Sequence, residues 1–232
     1  MKVHRFFWEF DPRAGKIEIP AGEIYNQIKN VLRLKISEKA EFFNEQGQSV
    51  MAKLSEYRSG SIIFDIVSAP KKMAEEKEII LYCAILKKDN FELVVQKATE
   101  LGVSKIVPLV TRHTVKLDLN RERLKKIIIE AAELSGRIQI PELSEKMDFS
   151  AALQRSRALD VRFFCNQGGK KITPHALQNK RTVGIFIGPE GGWQEEEIAA
   201  AHKEGCYFVS LGKYVLRGET AAIVALALII NN

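Results

Sequence analysis

The residues best suited to chemistry lie in two glycine-rich turns near the carboxyl end of the chain. The first is Ile187-Gly188-Pro189-Glu190-Gly191-Gly192-Trp193, and the second runs Leu211-Gly212-Lys213-Tyr214-Val215-Leu216-Arg217-Gly218-Glu219-Thr220-Ala221. Neither is a phosphate loop of the usual kind. No Lys-Ser/Thr pair follows the first turn, and the chain has no G-x-G-x-x-G. What glycine offers is bare backbone: close approach, unusual dihedrals and exposed N–H and C=O groups. Such a loop can hydrogen-bond the edge of an adenine without a charged side chain. Taken alone, Gly-Pro-Glu-Gly-Gly is more often a tight turn than a cofactor site.

Each turn follows a short apolar run that reads as a buried strand, residues 183–187 and 207–211, and each leads into a helical pattern. Strand, glycine-rich turn and helix is the arrangement by which open α/β sheets build crevices at the carboxyl ends of their strands. Two such turns can form two walls of one pocket. Upstream, residues 79–86, 105–110 and 160–165 read as further strands, alternating with helices over 89–101, 120–134 and 149–157 and followed by one over 195–202. Asp89-Asn90-Phe91-Glu92 has the spacing of a capping box, Gly102 closes its helix, and Gly205 can end the helix of 195–202. This alternation predicts a mostly parallel sheet covered by helices.

Residues 1–72 read differently. Runs at 3–10, 40–43, 49–54 and 61–67 are strand-like and separated by turns, with helical spacing over 23–34, which suggests a small β-barrel. A linker falls at 69–77, where Pro70 breaks the strand pattern. The expected organisation is α/β, with one domain over 1–72 and a second over 73–232.

Composition narrows the class. With 46% hydrophobic and 28% charged residues the chain is not a disordered one. The net charge of +6 is split evenly, +3 in residues 1–72 and +3 in the remainder, a mild excess that suits a polyanionic partner without demonstrating one. Cys83, Cys165 and Cys206 lie far apart in apolar runs and read as small core residues; no His/Cys spacing suits a metal. No signal peptide is read, and the apolar run of 221–230 falls short of the ~20 residues that cross a bilayer. A soluble cytoplasmic protein is expected.

Further pieces appear in a fixed order: His4-Arg5-Phe6-Phe7, Val31-Leu32-Arg33, Gln96-Lys97-Ala98-Thr99-Glu100-Leu101-Gly102-Val103, Glu130-Ala131-Ala132-Glu133, Ser135-Gly136-Arg137 and Pro141. Together with the two turns they resemble the RsmE family of the SPOUT methyltransferases over essentially the whole chain. The resemblance implies an N-terminal PUA-like β-barrel that helps hold RNA and a C-terminal SPOUT α/β domain with a deep trefoil knot. It implies S-adenosyl-L-methionine as cofactor, no metal, a homodimer with the terminal helix near the interface, and N3-methylation of a uridine in small-subunit (16S) ribosomal RNA, of the uridine 1498 type.

Carried over by residue, the cofactor contacts are Ile187, Gly188, Glu190, Gly191, Gly192, Leu211, Gly212, Val215, Leu216, Thr220 and Ala221, with the turn around Asn166 as a third wall. Three departures stand out: Tyr214 where the family usually has arginine, Leu134 where glutamine is common, and Gln27 where histidine often precedes Val-Leu-Arg. Uridine N3 must lose its proton to become a good nucleophile, and a fixed guanidinium suits the resulting anion. Arg217 is the first candidate; the alternative is an ion pair with Glu219 that braces the turn. Glu219 or water takes the proton, unless Glu219 serves only the helix dipole. Arg112 and Arg137 face the RNA or are solvated charges, while Arg5 and Arg33 are candidates for phosphate contacts. Lys97 reads as a surface partner of Glu100, Trp193 as a core aromatic or a base-stacking platform, and the four histidines receive no role. Two other readings of the chain are a non-catalytic RNA-binding or ribosome-assembly protein and a tRNA-directed relative.

Overall fold

A computed structural model of the chain describes residues 3–72, 77–115 and 118–230 and divides them into two units. The first gathers the described residues up to 72 with Ala132–Ile140; the second holds the rest. The expected linker at 69–77 lies partly outside the described residues, which omit 73–76.

In the first unit, alternation of apolar and polar residues builds the sheet. Strands β1 (His4–Phe7), β2 (Lys16–Pro20), β3 (Lys39–Phe43), β4 (Gln48–Arg58), β5 (Ser61–Ile66) and β6 (Lys71–Lys72) pair in the order β1-β3-β4-β5-β2, with β6 on β4. β1 and β3 run parallel; the other pairs are antiparallel. The path has two unpaired ends, β1 and β2, so hydrogen bonding among the described residues does not close the sheet into the expected barrel. Inward residues such as Phe6, Ile17, Ile19, Phe42, Leu54 and Phe64 form its core. The helix expected over 23–34 is broken: α1 (Glu23–Asn26) passes into a π-helical turn, Gln27–Val31. Leu32 N–H bonds to the Gln27 carbonyl at 2.8 Å, and Arg33 follows at φ 52°, in the left-handed region.

In the second unit the strands are β7 (Glu78–Ala84), β8 (Lys105–Val110), β9 (Glu142–Leu143), β10 (Met147–Asp148), β11 (Val161–Lys170), β12 (Thr182–Ile187) and β13 (Tyr207–Val209). They pair in parallel throughout, in the order β10-β8-β7-β12-β11-β13, with β9 on β8. The helices are α2 (Lys88–Leu101), α3 (Arg121–Ser135), α4 (Phe149–Arg155), α5 (Pro174–Leu177), α6 (Glu195–Lys203) and α7 (Gly218–Ile230), and α2 packs on α7. One sheet face buries Tyr82, Phe149, Phe164 and Phe186, with Tyr82 stacked on Phe186 at 4.5 Å. No helix among the described residues is long and apolar enough to cross a membrane.

Two helix starts differ from expectation. α2 begins at Lys88, with Lys87 at its N-cap and no side-chain cap, so the Asp89–Glu92 capping box does not form. A capping box sits instead on α6: Glu197 Oε2 accepts from Gln194 N–H at 2.9 Å, and Glu197 Oε1 from Arg112 N–H at 3.0 Å. Gly102 does end α2 in a left-handed conformation, as expected.

Candidate functional site

Because all strands of the second sheet point the same way, the chain leaving each emerges at one edge. β12 lies between β7 and β11, and β13 lies beyond β11, so the two glycine-rich turns and the segment after Cys165 meet there. Together they line a cavity of about 340 Å³, inside the ~300–1,000 Å³ range of small-ligand clefts.

The first turn is fixed from several sides. Glu190 Oε1 accepts from Lys87 N–H at 3.0 Å, and Gly192 N–H bonds to the Pro189 carbonyl at 2.9 Å. His113 Nδ1 donates to the Gly192 carbonyl at 3.0 Å, while its Nε2 meets the Gln194 side-chain amide. Trp193 packs between Phe149 and Phe164 and donates from Nε1 to the Cys165 carbonyl at 3.0 Å. A Cβ added at Gly188 would sit 2.9 Å from the Trp193 ring, so only glycine fits there. Trp193 therefore supports the cavity from the core side.

The second turn is more open. Ser210 N–H bonds to the Lys170 carbonyl at 2.9 Å, Ser210 Oγ to the Gly212 carbonyl at 3.1 Å, and Ala221 N–H to the Arg217 carbonyl at 2.8 Å. Tyr214 and Val215 are 74% and 77% exposed while bordering the cavity. The Lys213 ammonium lies 5.6 Å from the Tyr214 ring centre, so a neighbouring cation stands beside the position where arginine is usual.

All the sequence-derived cofactor candidates border this cavity except Gly191, which lies against the His113 ring, and Thr220, which is exposed. Asn166 borders it, as does Cys165, whose thiol burial pushes up to about 12. Burial also raises Cys83. Arg217 is exposed on the cavity wall and makes no ion pair with Glu219. Glu219 is buried off that wall, and its Oε2 has no hydrogen-bond partner among the described residues.

Of the arginines, Arg112 is exposed beside His113, and Arg33 is exposed in the first unit. Arg5 is turned inward. It donates to Glu41 at 2.8 Å and to the carbonyls of Ala132 and Arg137 at 3.0 and 3.2 Å, and it covers the Phe43 ring. With three guanidinium nitrogens engaged inside the protein, Arg5 braces the first unit and does not present itself to a phosphate. Arg137 is half-buried, and its carbonyl takes part in the same bracing. Lys97 pairs with Glu100 at 2.8 Å, as expected. The residue that sequence reasoning passed over is His113: an isolated histidine carries no signal until the fold places it on Gly192.

The strand-end cavity is lined by two glycine-rich turns with an arginine at its edge, an arrangement that offers main-chain groups to a small ligand. Residues 74–230 match the RNA methyltransferase domain family, and the chain is a member of that class. More narrowly, the chain belongs to the ribosomal RNA small subunit methyltransferase E family. It is 30% identical to the Rickettsia conorii protein of that name, covering 92% of this chain and 88% of the relative. A Neisseria gonorrhoeae ribosomal RNA small subunit methyltransferase E, solved bound to S-adenosyl methionine, superposes with a TM-score of 0.88 at 26% identity over 99% of this chain and 98% of that one. A Legionella pneumophila protein solved with SAM bound gives 0.85 at 30% identity over 99% and 97%.

Proposed function

We propose that the protein is an S-adenosyl-L-methionine-dependent methyltransferase that modifies N3 of a uridine in small-subunit (16S) ribosomal RNA, of the uridine 1498 type. The observation that carries the reading is the single cavity bordered by both glycine-rich turns at the strand ends. Its donor set suits an adenosyl group: main-chain N–H and C=O for the base edge, with Leu211 and Leu216 for its faces. When bound, the cofactor supplies a methyl group on a sulfonium centre. The chain's own work is to place the uridine in line with it. Exposed Arg217 stabilises the negative charge left on the uracil carbonyl as the N3 proton departs. Glu219, buried away from the cavity wall, is assigned to the start of α7, and the proton goes to solvent.

RNA is held through phosphates by Arg33, Arg112 and Arg137. In this reading residues 1–72 are a PUA-like RNA-holding domain, and residues 73–232 a SPOUT domain with a deep trefoil knot, paired as a cytoplasmic homodimer through the apolar α7. Tritiated methyl transfer to unmethylated small subunits and to naked RNA, with the modified nucleoside mapped, tests the reading. Label in 3-methyluridine is expected. Absence of label from both substrates, with no cofactor binding by calorimetry, would sink it.

A further inference from the structure

A second cavity, of about 920 Å³, opens beside the same β11–β13 ladder, and Val209 borders both. Phe163, residues 168–173, 175–176 and 178–180, His202 and residues 206–209 supply its lining, and among these described residues there is no Asp or Glu. It does contain Lys170, Lys171, Lys180, His175 and His202. None of the three lysines has an ion pair among the described residues. Of the nearby carboxylates, Asp160 lies within electrostatic reach of Lys180 but accepts from the N–H groups of Arg181 and Thr182, and Glu204, within reach of Cys206, is held by the Arg157 guanidinium at 2.6 Å. Tyr207 is 61% exposed on the same lining, with Phe163 behind it at 6.3 Å. An aromatic ring with an open face among unpaired cations is the pairing that sequence-tolerant single-strand sites use.

The segment between the cavities is rigid. A Cβ at Gly169 would meet the Val209 backbone at 2.6 Å, and Ser210 N–H bonds to the Lys170 carbonyl. Residues up to Gln167 face the first cavity and those from Gly168 on face the second. A strand whose target nucleotide occupies the first cavity therefore reaches the second within a few residues of protein.

We propose that this second cavity binds the single-stranded RNA that flanks the target nucleotide, with Lys170, Lys171 and Lys180 on successive phosphates and Tyr207 stacked on an unpaired base. The inference rests on the RNA methyltransferase reading above and assigns the substrate strand a path that reading leaves open. Three cations spread over two segments suit phosphates spaced along a chain better than one phosphate, which needs convergent donors. The exposed ring face selects a single strand over a duplex, whose bases are already stacked.

The test uses the full chain with a labelled single-stranded RNA of about 12 nucleotides containing the target uridine, followed by fluorescence anisotropy across a salt series. The combined substitution Lys170→Gln, Lys171→Gln, Lys180→Gln is expected to weaken binding at least tenfold. The slope of log affinity against log salt should fall by about 2, from ~0.7 per phosphate contact on a single strand. The same three positions changed to Arg should keep both. Tyr207→Ala is expected to cost roughly tenfold by loss of one stacked base, and a duplex of the same sequence should compete poorly. Cofactor binding by calorimetry should be unchanged in all of these, which also shows that the variants fold. Wild-type affinity and salt slope in the Gln variant would overturn the proposal, as would a duplex that competes as well as the strand. If the wild-type chain transfers no methyl group yet binds the strand through these lysines, the enzyme reading fails while this one stands.

Discussion

The turn after β12 and the turn after β13 border the same cavity, yet they are held in opposite ways. Glu190, His113, Gln194 and Trp193 tie the first to Lys87, to its own Gly192 carbonyl and to Cys165. The second relies on Ser210 and the start of α7, and it leaves Tyr214 and Val215 largely exposed. One wall is tied down and the other is open. A pre-formed wall lowers the ordering cost of binding, and the open wall carries the exposed arginine. In the proposed reaction the contrast divides the labour: positioning by the first turn, chemistry and entry by the second.

The largest effect is expected at the end of the open wall. Arg217→Ala should lower kcat by roughly 100–1,000-fold, the usual loss for one charge-stabilising donor, with cofactor affinity little changed. An equal loss in both, by steady-state kinetics and calorimetry, would make Arg217 a bracing residue and erase the division. Next comes Gly188→Ala in the fixed wall. The added Cβ has only the packed Trp193 ring to displace, and overpacking of roughly 1–3 kcal/mol should weaken cofactor binding about 10- to 100-fold. His113→Ala removes one hydrogen bond to Gly192, worth about 1 kcal/mol. Cofactor affinity should fall roughly fivefold with kcat per bound complex retained; a fall in kcat alone would give His113 a chemical role instead. Smallest of all is Val215→Ala in the open wall, where the side chain is 77% exposed. Affinity should stay within about twofold, as for ordinary surface changes. Should Val215→Ala and Gly188→Ala weaken binding equally, the two walls do not differ as argued.

Much of this organisation was legible in the chain. The strand of 105–110, the glycine that ends α2 and the placement of both turns after apolar strands follow from local periodicity and glycine chemistry, and the structure has them. β2 lies outside the strand-like runs read from the sequence, although Ile17 and Ile19 alternate with Lys16 and Glu18, because a run of five residues carries only a short periodic signal. Asp89 has capping-box spacing, but the helix starts two residues earlier than that box requires. Three glutamates open α6, where negative charge suits the helix dipole, but Glu197 is buried and holds two backbone N–H groups. Arg5 looked like a phosphate contact because its charge is visible in the chain and its partners are not. Those partners include carbonyls 127 and 132 positions away.

The order of motifs along the chain was enough to place it in its family and to mark the backbone of both cavity walls, since glycine, strand and helix signals are written over a few neighbouring residues. Convergence was decided elsewhere. β7 lies between β8 and β12, and that adjacency brings His113 to a side chain 81 positions away and Lys87 to one 103 positions away. Such contacts depend on which strands become neighbours, a property of the folded sheet as a whole that no stretch of sequence carries by itself.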